Sequence, residues 1–277
     1  SSDLITVIES AAQFEQWVEA HRHEINVPDD IVDFPVSDYS NEAERHIMCG
    51  DAVGHAWTVT AWGDARPGRA HVQACAVATA SSAAIIEAPM ASSVQTALDR
   101  FLKAEHFRTI VHGYKELLHL LSAAGLGMAL PMFDTKLGGY LAQPDFHADN
   151  LNQAAEHFLD IHVVDAEQPA QGVLDFDDEH TEEDLNERRV HDLAVIRELA
   201  VTLGPVIDER RQYWLMRAIE LPVSRVLHGM EQSGAKIDRS RLTDMRDRFA
   251  TDARQAQEMA WQYAGGEINL QSPKQLR

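Results

Sequence analysis

The chain has 277 residues, an apolar share of 45%, two cysteines and a formal net charge of −20, which suits one large domain plus an appendage; no apolar run reaches membrane length. Nucleic acid is gripped by exchanging counterions for Lys and Arg, so a chain this acidic is not expected to hold DNA strongly by itself. Cys49 and Cys75 stand in apolar stretches without metal-type spacing and read as buried free thiols, in keeping with a reducing cytoplasm, and the start at Ser1-Ser2-Asp3 carries no secretory pattern.

In chain order, Leu4 to Ile8 is a short β-rich run, followed by a helix whose inward face is Phe14, Trp17 and Val18. Residues 27–54, with Pro28, Asp29, Asp30, Pro35 and the polar stretch Ser37 to Asn41, predict a long irregular insertion. Three strands follow, Ala56 to Ala61, His71 to Ala78 and Ala83 to Ala88, separated by turn chemistry at Gly63-Asp64 and Pro67-Gly68. Val94, Ala97, Leu98, Phe101 and Leu102 recur at helical spacing. Arg108 to Val111 predicts a fourth strand, Tyr114 to Ala124 a helix ended by Gly125, and Leu130 to Phe133 a fifth strand. Asp134 then caps a helix through Leu141, and Asp149-Asn150 opens another through Leu159. Residues 167–187, rich in acid, Pro, Gly and Gln, read as a mobile loop, and a helical pattern runs from Leu185 with breaks at Gly204-Pro205 and Gly234. The fold class is therefore α/β, a mixed sheet of five to six strands with flanking helices and an α-helical C-terminal segment. This order occurs in ribonuclease-H-like folds, including the proofreading 3′–5′ exonucleases.

Toward the end, Val223, Val226, Leu227 and Met230 recur at helical spacing, and Gly234 suits a left-handed cap. Asp238 can cap a second helix, striped by Leu242, Met245, Phe249, Ala256, Ala260 and Tyr263. The particular wording says more. Glu220, Pro222, Val226-Leu227, Met230-Glu231, Gly234 and Ile237-Asp238, followed by Asn269-Leu270, Ser272 and Lys274-Gln275-Leu276, resemble the entry into the polymerase region of the bacterial DNA polymerase I family, family A. Phe133 to Leu141 is similar to that family's F-D-T-x-L-x-x-Y-L, Asn150 to Leu159 to the helix after it, and Ile110 to Lys115 to its V-G-Q-N-x-K. The resemblance thus extends over the whole chain. It implies a fragment: residues 1–203 as a 3′–5′ exonuclease-like domain and 204–277 as the helical start of the polymerase, or thumb, region. It further implies DNA synthesis in replication and repair by the full-length protein, with Mg2+ and deoxynucleotides used elsewhere. DNA would be met through the full-length protein and the polymerase domain in cis, with weak or no DNA binding by the fragment, no membrane association, a cytoplasmic location and a monomeric state.

A proofreading exonuclease cleaves phosphodiesters with two divalent ions roughly 3.5–4 Å apart, and several carboxylates must neutralise them. The resemblance implies an Asp-x-Glu on the first central strand, an Asp on the helix after the fourth strand, and a Tyr-x-x-x-Asp on a late helix. In this sequence Thr58 and Thr60 stand at the strand positions, Leu117 at the third acid, Arg188 at the tyrosine, and only Asp192 matches. Glu116 adjoins Leu117, but neighbours on a helix point about 100° apart, and Asp64 reads as a turn residue. The expectation is a domain that keeps the fold with no catalytic, cofactor-binding or metal-binding residues, Thr58, Thr60, Leu117, Arg188 and Asp192 being vestigial positions. Two rivals are an active two-metal proofreading exonuclease with displaced acids, and a free-standing interaction domain. Elsewhere, Asp175 and Asp177 read as parts of a solvated acidic loop, and His106, His112, His119, His157 and His191 show no ligand spacing with a partner acid. Gly125 and Gly127 read as a helix cap and tight turn, and Asp134 as a cap rather than a ligand.

Overall fold

One mixed sheet organises the larger part of the chain, in the strand order β1-β4-β3-β2-β5-β6. Its strands are β1 (Ile5–Val7), β2 (Trp57–Asp64), β3 (His71–Ala78), β4 (Ala83–Glu87), β5 (Thr109–Val111) and β6 (Phe133–Asp134). β2, β3 and β4 form an antiparallel meander, while β1 joins β4, and β5 joins β2 and β6, in parallel. This is the ribonuclease-H-like arrangement that the sequence indicated. The computed structural model describes residues 5–33, 47–161, 182–270 and 272; the chain divides into two compact units, Ser1–Gln232 and Ser233–Arg277.

Strand alternation gives the sheet two faces of different character. Trp57 and Val59 of β2, Cys75 and Val77 of β3, and Ala84 and Ile86 of β4 pack into the main core. Over that core lie α1 (Ala11–His21) and α3 (Ser92–Ala104). Phe101 meets the Phe14 ring edge-on at 5.6 Å and the Trp57 ring at 5.3 Å, a geometry that aromatic quadrupoles favour. The opposite face is built from small residues, Ala74, Ala76, Ala78 and Ala83 with Ile85, and Leu193 seals it. Both cysteines are free and buried, and burial pushes the Cys75 thiol up to about 12.

Several elements differ from their sequence reading. β2 runs on to Asp64 because Gly63, at φ 146°, forms an irregularity in the ladder with β3, so Asp64 ends a strand rather than making a turn. A Cβ on Gly63 would lie 2.1 Å from the His71 carbonyl oxygen; only glycine fits. The expected fifth strand shrinks to Phe133–Asp134. The insertion contains α2 (Asp29–Val32) and a 3-10 turn at Gly50–His55, while residues 34–46 lie outside the described residues. The acidic stretch is helical from Glu182 onward, in α7 (Glu182–Glu209), and Asp175 and Asp177 lie outside the described residues. α7 passes unbroken through Gly204-Pro205. Pro205 withholds one N–H from the ladder, and the residue that loses its partner, Val201, is 42% exposed, so water can serve its carbonyl.

The remaining helices of the larger unit are α4 (Tyr114–Ala123), α5 (Thr135–Ala142), α6 (Leu151–Leu159), the short α8 (Tyr213–Leu215) and α9 (Leu221–Ser233). Between α8 and α9 the chain takes a π turn at Met216–Glu220. Pro222 has no N–H for the Ala218 carbonyl, and widening the helix by one residue is the local answer. The buried Arg217 in that turn stacks 3.8 Å over the Phe107 ring and donates to the Ile31 and Val32 carbonyls at the end of α2.

The smaller unit is dominated by α10 (Arg239–Ala264). Asp238 caps it by accepting from the Ser240 and Arg241 amides, Gly265 ends it at φ 76°, and the Trp261 indole donates to the Ile268 carbonyl. No residue of α10 is buried, and Leu242, Met245 and Phe249 are exposed. Residues 204–232, expected with the C-terminal segment, pack in the larger unit; Lys274, Gln275 and Leu276 lie outside the described residues. Among the described residues no helix is long and apolar enough to cross a membrane.

Candidate functional site

Register fixes the rows on the small-residue face. Thr58 lies opposite Ala78, Thr60 opposite Ala76, and Trp62 opposite Ala74, which in turn faces Glu87 of β4. Side chains two apart on a strand share a face, so Thr58, Thr60 and Trp62 form a column down β2. Thr58 is buried, and its hydroxyl has no hydrogen-bond partner among the described residues. Thr60 is half-buried. α7 brings Asp192 to the end of this column, where the Trp62 indole Nε1 donates to Asp192 Oδ2 at 2.8 Å. One turn earlier on α7, the Arg189 guanidinium stands 5.4 Å from the Trp62 ring centroid and pairs with Glu87, its Nη2 donating to Oε2 at 3.3 Å. Arg188 is half-buried on the same helix. Leu117 is buried in the main core through α4, which packs on β2 and β3.

Glu116 and Asp64, the acids closest in sequence to Leu117 and to the β2 threonines, are both engaged by basic side chains. Glu116 pairs with Lys136 at 2.8 Å, which holds its carboxyl below the usual range despite burial. Asp64 is clasped by Arg66, whose guanidinium and amide hold its carboxyl far below the usual range. Among the described residues no group of three His, Cys, Asp or Glu side chains is disposed to hold a metal ion. The column offers two hydroxyls and one carboxylate that already accepts from an indole. Two dications need several anionic oxygens between them, and this donor set does not fit them. Sequence reasoning passed over Trp62, Arg189 and Glu87; the signal was available in the i, i+2 step from Thr60 to Trp62 on a strand.

A second polar assembly holds the start of α4. Asp134 is buried and accepts from the amides of Gly113 at 2.9 Å, Tyr114 at 2.7 Å and Lys136 at 2.9 Å. It therefore caps α5, as expected, and also α4, whose entry residue Gly113 takes the left-handed φ of 70°. Burial raises the Asp134 carboxyl, with the three amides opposing the rise. Beside it, His112 bonds to the Thr135 hydroxyl at 2.8 Å, and burial followed by the Lys136 charge pushes its imidazole down to about 4.

α9 docks on α4 by its polar side. Arg225 donates to the Tyr114 hydroxyl and the Met128 carbonyl, both at 2.7 Å. Glu231 takes Lys115 on one oxygen and His119 on the other, each at 2.7 Å. His119, which the sequence left without a partner acid, is buried against one supplied from a distant helix. The His228 ring lies 4.6 Å from it, and burial with His119 lowers the His228 imidazole. Two apolar residues of α9 consequently point away from the body, Val226 at 61% and Met230 at 63% exposure, while Leu221 is buried. Val223 and Leu227 wall a cavity of about 450 Å³ shared with Leu137, Tyr140 and Phe158.

No family model matches the chain. The chain is similar to DNA polymerase I of Mycobacterium tuberculosis (strain ATCC 25618 / H37Rv), with 29% identity over 211 residues, covering 76% of this chain and 23% of the relative. DNA polymerase I of Mycobacterium leprae (strain TN) is 31% identical over 169 residues, covering 60% of this chain and 18% of the relative. The chain thus spans less than a quarter of the length of the curated relatives it matches. Among solved structures, the POL domain of Pol1 from M. smegmatis, in complex with DNA primer-template and dNTP, superposes with a TM-score of 0.62 at 22% identity, over 91% of this chain and 39% of that one.

Proposed function

We infer, proceeding from the chain's relationship to bacterial DNA polymerase I, that its sheet-bearing unit is a 3′–5′ exonuclease-like domain without nuclease activity, serving as a structural seat for the polymerase region. The observation that carries this reading is the β2 column: Thr58 and Thr60 stand where strand carboxylates would be needed, and Asp192 is engaged by Trp62. The outward apolar side of α9, with Val226 and Met230 exposed, supports the structural role, since an amphipathic helix docked polar side inward leaves its apolar stripe for a partner.

On this reading the full-length protein is a DNA-directed DNA polymerase of replication and repair that uses Mg2+ and meets DNA through its polymerase region. Residues 1–203 supply the exonuclease-like domain and residues 204–277 begin the polymerase region. The isolated chain, with a net charge of −20, binds DNA weakly and is a cytoplasmic monomer. The test is incubation with end-labelled single-stranded DNA and Mg2+ or Mn2+. The expected result is an intact strand. Stepwise shortening that disappears in Asp192→Ala overturns the reading in favour of displaced acids.

A further inference from the structure

The misfit between the β2 column and two dications extends to what occupies the junction instead. Trp62, Ala74 and Glu87 form one row across β2, β3 and β4. Arg189 spans that row, reaching the Trp62 ring at one end and the Glu87 carboxylate at the other, and its side chain is only 12% exposed. Alanine at the middle position presents only a methyl group beneath the span. Asp192, three residues on along the same helix, accepts the Trp62 indole proton. Arg189 also donates to Asn186 within α7, while the Trp62–Asp192 and Arg189–Glu87 bonds run between α7 and the sheet.

We propose that Trp62, Asp192, Arg189 and Glu87 form a cation-free staple that fastens α7 across β2, β3 and β4, so that the helix is held on the sheet without divalent ions. The proposal rests on the non-catalytic reading above. A guanidinium paired with a carboxylate and held over an aromatic ring is an oriented contact, here with the Arg189 side chain 12% and that of Glu87 49% exposed. A carboxylate accepting from an indole is likewise charge-assisted. Leu193 and Val190 pack beside the row against the alanines and Trp62.

The experiment is amide hydrogen exchange over residues 186–196 of the whole chain, in Mg2+ and in EDTA. The staple predicts equal protection in the two buffers. Trp62→Phe keeps the ring for Arg189 but removes the donor, and Asp192→Val removes the acceptor. Each is expected to speed exchange about tenfold, and the double variant by clearly less than the product of the two, because the two groups share a bond. Arg189→Met tests the other end on a side chain whose replacement keeps the aliphatic stem, and is expected to release the same residues. Additive effects, unchanged protection in Trp62→Phe or Arg189→Met, or protection that rises with Mg2+ and falls with EDTA overturns the proposal. Loss of the staple without DNA cleavage sinks this inference alone, whereas cleavage sinks the reading beneath it.

Discussion

Replacing Asp134 tests how the start of α4 is fixed. The carboxylate accepts from three amides, those of Gly113, Tyr114 and Lys136, and it is 2% exposed, so alanine leaves three donors with no acceptor and little water. An unsatisfied buried donor costs about 1–3 kcal/mol, and loss of a single helix cap about 1 kcal/mol. Two of the amides belong to the α4 entry and one to α5. Some relaxation toward the neighbouring cavity of about 450 Å³, lined by Gly113 and Lys136, offsets part of the sum. The expected loss for Asp134→Ala is therefore about 3–5 kcal/mol. Asp134→Asn should lose less, since one oxygen survives for Gly113 and Lys136 while the amide group faces the Tyr114 N–H. Urea unfolding followed by circular dichroism measures both variants as a fall in midpoint at constant slope. A loss under about 1 kcal/mol for the alanine variant refutes the double-cap reasoning.

Three other perturbations bear on the account. Gly63→Ala drives a methyl group to within 2.1 Å of the His71 carbonyl oxygen, so the β2–β3 ladder must shift; a loss of about 2–4 kcal/mol in thermal melting is expected, and a neutral result contradicts the assigned bulge. His112 has its imidazole pushed from 6.5 down to about 4 in the folded chain. The unfolded chain therefore binds the proton first, so stability falls as pH drops from 6.5 toward 4. His112→Gln should flatten that part of the pH–stability curve, and an unchanged slope contradicts the assignment. Val226→Ser combined with Met230→Ser should alter the stability of this chain by no more than about 0.5 kcal/mol, both residues being exposed. In a longer chain carrying the polymerase region, the same pair should speed hydrogen exchange in α9; no change there removes the docking role proposed for this helix.

The strands and most helices were legible because burial on a half-buried sheet imposes a period of two and on a helix a period of 3.6. Val94, Ala97, Leu98, Phe101 and Leu102 predicted α3, and all five are buried in it. Where the reading failed, a local signal was overruled by tertiary contacts. Gly204-Pro205 reads as a break, yet α7 continues because Leu199, Ala200, Leu203 and Ile207 bury one face of it. Gly63 reads as a turn, yet the strand absorbs it by slipping register beside Trp62.

Of the candidate site, the sequence made legible the residue types on β2 and not their partners. That Thr58 and Thr60 share a face follows from strand alternation, and the two acids expected there can be counted as missing. The Trp62–Asp192 and Arg189–Glu87 contacts join residues 130 and 102 positions apart, and no local pattern announces such a pair. The same holds for Glu231 with Lys115 and His119, which join α9 to α4 across 116 and 112 positions.

Everything proposed for the sheet-bearing unit depends on its inability to hold a pair of divalent ions beside β2. Calorimetric titration of Mn2+ into the chain addresses this without any substrate. The account predicts no saturable uptake of two ions. Two ions bound per chain, with the heat abolished by Asp192→Ala, contradicts it.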